Sequence, residues 1–136
     1  MANQIQLVMY QGFLANDPEL HFTPKGQPVA NFRMGSNRTY KNSTTGEKVK
    51  ETTWLKVTAW GKLGEEVVNK YCAKGSHVVV VGRLRVGENG SPTTYKLDSG
   101  DWVASYEIIA SEVYILKGKD NVTPPVETVG EEDLPF

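Results

Sequence analysis

The apolar residues of this chain recur with a period of two along most of its length, and the period switches to that of a helix in one place. Residues 5–14, 29–40, 52–60, 77–86 and 102–116 each read as a strand, separated by turn signals such as Asn16-Asp17-Pro18 and Thr44-Thr45-Gly46. A short extension at 19–22 leads into a turn at 23–28. After the third strand, Leu63, Val67 and Tyr71 recur every four residues with Val68 and Cys72 beside them. That spacing predicts an amphipathic helix, with Gly75 as the expected residue just past its C-terminal end. A long loop at 87–101, carrying Gly87, Gly90, Pro92 and Gly100, precedes the fifth strand. Five strands with one helix between the third and fourth is the order of an OB-fold, a small Greek-key barrel, whereas an α/β chain would alternate helix and strand throughout. The expected class is therefore all-β with one short helix. Such a fold implies a binding module and leaves the ligand open.

At 136 residues the chain has room for one domain with a true core. No stretch approaches the roughly 20 apolar residues of a membrane helix, and the N-terminal residues lack the pattern of a signal peptide. The single cysteine, Cys72, excludes an internal disulfide framework and fits a reducing compartment. The expected location is cytoplasmic and nucleoid-associated, with no membrane partner. Formal net charge is −1, but it is unevenly spread. Residues 1–116 hold 13 Lys/Arg against 11 Asp/Glu, a net of +2, while residues 117–136 hold two Lys against five Asp/Glu, a net of −3. Any polyanion site must then be a local gathering of cations, not a global field. The boundary falls near Leu116: residues 1–116 form the expected domain, 117–130 read as a flexible linker, and 131–136 end in an apolar plug after three acids.

The segment 52–60 carries the most chemistry. Alternation puts Leu55, Val57 and Ala59 on one face and Trp54, Lys56, Thr58 and Trp60 on the other. The first set suits the inside of a tight barrel. The second lines up two indoles, a cation and a hydroxyl, which is what a flexible single strand of nucleic acid requires: flat faces for bases, cations and donors for phosphates. Alternation alone leaves a second arrangement open, with both tryptophans buried under the helix or in an oligomer interface. Lys56 between them favours exposure, since ammonium groups are rarely buried unpaired. On the second strand Val29, Asn31, Arg33, Gly35 and Asn37 share the outer face, so Arg33 is expected to be exposed. Tyr40 has the wrong parity for that face unless the strand bulges or projects beyond the barrel. On the fourth strand Arg83 and Arg85 point outward, as candidate phosphate contacts or as a solvated edge. Val79 and Val81 point outward with them, suggesting a covered surface such as an oligomer interface.

Enzymatic readings find no support. There is no phosphate-binding or dinucleotide glycine fingerprint, and His21, His77 and Cys72 have no zinc-ligand spacing. Cys72 lies on the apolar face of the helix, as a small buried hydrophobe would. No enzyme activity, cofactor or metal is expected.

The motifs GFLANDPEL at 12–20, PKGQPVANF at 24–32, TWLKVTAWGKL at 53–63 and KGSHVVVVGRLR at 74–85 resemble the bacterial single-stranded DNA-binding protein family. EEDLPF at 131–136 is similar to that family's acidic tip. The resemblance covers residues 5–116 and 131–136. It implies base stacking on Trp54, Trp60 and Tyr40, and basic residues near the strand path at Lys62, Arg83 and Arg85. Arg33, Arg38, Lys56 and Trp102 complete the candidate contacts. It also implies a homotetramer with one OB domain per chain. Three departures stand out. The aromatic that the family often carries after the fourth strand is absent from Val86-Gly87-Glu88-Asn89, and Tyr95 or Trp102 is expected to take its place. Leu55 stands where the family often has a histidine that contributes to assembly. The linker has only 14 residues, spanning roughly 20 Å by flexible-chain statistics.

The function expected from these readings is sequence-nonspecific binding and protection of single-stranded DNA in replication, recombination and repair. Replication and repair proteins would be recruited through Glu131, Glu132, Asp133, Leu134, Pro135 and Phe136, with Phe136 as anchor and the acids as steering charge. The alternative is an RNA-binding OB-fold module, which would use similar aromatics and would have no need of the acidic tip. An adaptor that holds enzymes through its tail, with the aromatics as interface core, is the reading from another class.

Overall fold

The computed structural model describes residues 3–119. Strand β1 spans Val8–Leu14, β2 Glu19–Phe22, β3 Pro28–Lys41 and β4 Lys48–Trp60. A helical segment follows, wound as a π-helix over Leu63–Val68 and as a single α-turn over Asn69–Tyr71. The chain then forms β5 His77–Leu84, β6 Thr93–Lys96, β7 Trp102–Ser105 and β8 Glu107–Lys117. Strands β1, β5, β8, β4 and β3 pair in that order, and β3 returns to β1, so the sheet closes into a five-stranded barrel with β2 extending it beside β3. The β4–β8 contact is parallel, and the other contacts around the barrel are antiparallel. With its helix between the third and fourth barrel strands, this is the OB-fold arrangement expected from the sequence.

Alternation decides which side chains enter the barrel. Ala30, Phe32 and Met34 of β3, Leu55, Val57 and Ala59 of β4, and Val78 and Val80 of β5 are buried together with Ile108 and Ile115 of β8. Val68 and Cys72 complete this cluster from the helical segment, and Leu63, Val67 and Tyr71 pack against it half-buried. Each fully buried aliphatic side chain is worth about 1.5–3 kcal/mol against exposure. Burial also pushes the Cys72 thiol up to about 12, against the smaller opposing pull of the Lys119 charge. The barrel closes where β1 crosses β3, at Phe13↔Gly35 and Leu14↔Met34. A Cβ on Gly12 would collide there with the Gly35 carbonyl oxygen, so the crossing needs a residue with no side chain.

The structure departs from the expected elements in several places. Strand β1 begins at Val8, leaving Ile5 and Leu7 exposed, and β5 stops at Leu84. Gly75 lies beyond the helix end in a turn closed by the Ser76 N–H donating to the Ala73 carbonyl, so it does not cap the helix. The expected loop at 87–101 contains a strand: β6 pairs with β7 as a two-stranded hairpin outside the barrel. The expected fifth strand is accordingly two strands, broken at Tyr106, whose carbonyl accepts the Lys56 N–H at 2.9 Å. Val79 and Val81 are buried within the single chain. They lie between Gln11 and Met9 of β1 and Tyr114 and Glu112 of β8 at the same register, so their burial needs no second copy.

The chain leaves β8 alongside the helical segment. The Lys119 N–H donates to the Tyr71 carbonyl at 2.8 Å and its Nζ to the Asn69 carbonyl at 2.9 Å. The remainder of the expected linker and the tip at 131–136 lie outside the described residues. Among the described residues no helix is long and apolar enough to cross a membrane.

Candidate nucleic-acid interface

An open groove of about 820 Å³ is bounded by β3, β4 and the β6–β7 hairpin. Part of the outer face of β3 and β4 forms its floor; along that face antiparallel pairing sets Trp54 opposite Gly35, Lys56 opposite Arg33, Thr58 opposite Asn31 and Trp60 opposite Val29. Side chains of directly paired residues share a face, so these eight positions form one surface. The Trp54 ring lies over Gly35, where a Cβ would stand 3.0 Å from the nearest ring carbon. Gly35 therefore gives the indole a flat seat. Both indoles are open to solvent, Trp54 at 49% and Trp60 at 42% of full exposure. The alternative that both are buried within the monomer does not hold.

The two indoles lie six positions apart on β4, which at the rise of a strand is roughly 20 Å. Only Trp54 lines the groove; Trp60 continues the same face beyond it. The Arg33 guanidinium stands 5.1 Å from the Trp54 ring centre, a cation–π geometry. Arg33 has no acidic partner among the described residues. Between the indoles the Thr58 hydroxyl donates to Asn31 Oδ1 at 2.9 Å, which satisfies the hydroxyl of this buried residue. Asn16 Oδ1 accepts the Arg33 N–H at 2.8 Å and ties the turn after β1 to this surface.

Tyr95, Ala104, Ser105 and Tyr106 supply the facing wall. Tyr95 and Tyr106 are half or more exposed. Trp102 pairs with Lys96, one position out of phase with the Tyr95↔Val103 pair, so it occupies the other face of the hairpin. Of the two residues expected to replace the missing aromatic, Tyr95 lines the groove and Trp102 does not.

The other candidates are dispersed. The β3–β4 pairing runs without a register shift from Val29↔Trp60 to Lys41↔Lys48, so no bulge corrects the parity of Tyr40. The hairpin instead projects past the barrel, and Tyr40 and Arg38 occupy the opposite face of it from Trp54. There the Arg38 guanidinium stands 4.8 Å from the Tyr40 ring centre and 3.5 Å from a Glu51 carboxylate oxygen. Lys62 is exposed at the start of the helical segment. Arg83 faces Asn3, Gln4 and Gln6, away from the groove. Lys56 and Arg85 both approach Glu107, at 3.7 and 3.8 Å. Glu107 and Tyr106 are groove residues that the sequence did not mark. Their position follows from the parallel pairing of β4 with β8, a long-range contact with no local signature.

The sequence profile of the Single-strand binding protein family matches residues 2–116. The chain is 34% identical over 121 residues to the single-stranded DNA-binding protein 1 of Chlorobaculum tepidum, an alignment covering 89% of this chain and 70% of that protein. It superposes on a structure described as a Plasmodium falciparum SSB complex with ssDNA with a TM-score of 0.70. That match has 21% sequence identity and covers 86% of this chain and 99% of that one. This structural likeness bears on the fold alone.

Proposed function

The chain belongs to the single-strand binding protein family, and from that premise we propose that it binds single-stranded DNA without catalysis and with little regard to base sequence. The observation that carries the reading is Trp54: a half-exposed indole seated on Gly35, beneath an arginine that has no acidic partner among the described residues, in an open groove with tyrosines on its far wall. A base stacks on the indole, and Arg33, which covers the ring in the free protein, turns to a phosphate. Trp60 offers a second platform. Each stacked base contributes about 1–3 kcal/mol by alanine substitution, while phosphate contacts add a salt-dependent share through counterion release. Stacking accepts every base because each has a π-face, hence the weak sequence dependence. Tyr40 and Arg38 would serve a strand that continues onto the far side of the projecting hairpin, and Lys62 and Arg83 one that wraps further around the barrel.

In the same reading residues 1–116 are the DNA-binding domain, 117–130 a tether and 131–136 a docking tip for replication and repair proteins. The tip's three acids followed by Leu134-Pro135-Phe136 fit a basic pocket with an apolar floor. We assign the chain to the cytoplasm, on the nucleoid, as a homotetramer.

Tryptophan fluorescence tests the central claim. Oligo-dT should quench it strongly at low salt, less as salt rises, and Trp54→Ala should weaken binding by about 1–3 kcal/mol. No quenching at low salt would sink the reading. Competition between oligo-dT and oligo-rU separates it from an RNA module, which would favour the strand bearing 2′-hydroxyls.

A further inference from the structure

Glu107 is an acid on the wall of a groove that, in the reading above, receives a polyanion. Its side chain is only 9% exposed, and its Oε1 lies 3.7 Å from Lys56 Nζ and 3.8 Å from Arg85 Nη1, both on half-exposed side chains. Backbone pairing holds the three together. Glu107 is the register partner of Lys56 in the parallel β4–β8 pair, and its carbonyl accepts the Arg85 N–H at 2.9 Å. One recessed carboxylate thus serves two half-exposed cations, and the trio carries a net charge of +1. The ammonium has three donors and the guanidinium five, so most of them remain open to a phosphate on the solvent side.

We propose that Glu107 is a positioning residue that acts as an internal substitute for phosphate: it holds Lys56 of the groove and the neighbouring Arg85 together and withholds one of their two positive charges from DNA. The proposal rests on the single-strand-binding reading. Before DNA arrives, the carboxylate keeps the two cations ordered and partly neutralised, so fewer counterions gather there. When a phosphate binds, it does so against the carboxylate's repulsion. The strand is held by stacking more than by charge, and it can shift or leave readily.

The test is the salt dependence of oligo-dT binding to the full chain. Glu107→Gln keeps the shape of the side chain and frees one positive charge. It should tighten binding by about three- to tenfold at low salt. It should also steepen the slope of log K against log salt by about 0.7, the value of one further neutralised phosphate on a single strand. Unchanged affinity and slope would overturn the proposal, as would weaker binding, which would leave the carboxylate a purely structural partner. Should Glu107→Gln alone fail to fold, charge restoration decides. Lys56→Gln leaves the trio neutral and should bind more weakly than the wild type, whereas Lys56→Gln with Glu107→Gln returns it to +1 and should recover the wild-type slope. A double variant no better than Lys56→Gln refutes the idea. Wild-type protein that fails to bind oligo-dT would defeat the functional reading itself, and a wild type that binds while these variants behave alike would defeat this inference alone.

Discussion

Gly12 lies where β1 crosses β3, and a methyl group there meets the Gly35 carbonyl instead of open space. Gly12→Ala is expected to cost about 1–3 kcal/mol, the usual penalty of overpacking, read as a lower midpoint in thermal unfolding. Because the crossing also holds Gly35 under Trp54, the same change should disturb stacking as well as stability. Cys72 gives the opposite kind of prediction. Its thiol, pushed up to about 12 by burial, stays protonated at neutral pH, so a thiol reagent should fail to label the folded protein and label it promptly in denaturant. The sign of the linkage follows. Above its ordinary value of 9.0 the unfolded thiol ionises while the folded one does not, so this residue's contribution to stability declines as pH rises from about 9 to about 12. Side-chain parity was the most legible feature at this scale. Leu55, Val57 and Ala59 are buried and Trp54 and Trp60 exposed because a paired strand has only two faces. Glu107 was illegible, since its two cationic partners, Lys56 on β4 and Arg85 just past β5, are distant in sequence.

Among the elements, the β6–β7 hairpin changes the shape of the site most. It stands outside the barrel and converts an exposed sheet face into a groove with two walls. Tyr95→Ala should therefore weaken oligo-dT binding by about 1 kcal/mol or more if its ring contacts a base. Trp102→Ala, on the other face of the hairpin, should change it by less than about 0.5 kcal/mol; a fluorescence or anisotropy titration ranks the two. The barrel strands could be read from sequence because alternation and turn residues agree over 29–40 and 52–60. The hairpin could not. Its first strand is four residues long between glycine- and proline-containing turns, and nothing in Ser105-Tyr106-Glu107 marks the point where one sheet ends and another begins. Gly75 misled for a related reason: a glycine shortly after a helical pattern suits either a cap or a separate turn, and the tertiary contact of its N–H with the Leu14 carbonyl decides between them.

For the whole molecule, the arrangement of charge matters more than its sum. Residues 1–116 carry a net +2 and residues 117–136 a net −3, and on the proposed reading the acidic end competes with DNA for the body's cations. Removing residues 131–136 should tighten DNA binding at low salt and have little effect at high salt, where such attraction is screened; equal affinity of the two forms at low salt would argue that the tip never reaches the groove. The interval between the two indoles on β4 has a consequence of its own. Neighbouring stacked bases are about 3.4 Å apart, so one short stack cannot bridge rings separated by six strand positions. A fragment of two or three nucleotides can occupy one ring and leaves the other idle, whereas a longer tract delivers its second base already tethered, at a high effective concentration. On the proposed reading, with both rings stacking bases, the barrel would favour extended tracts of unpaired strand over short fragments.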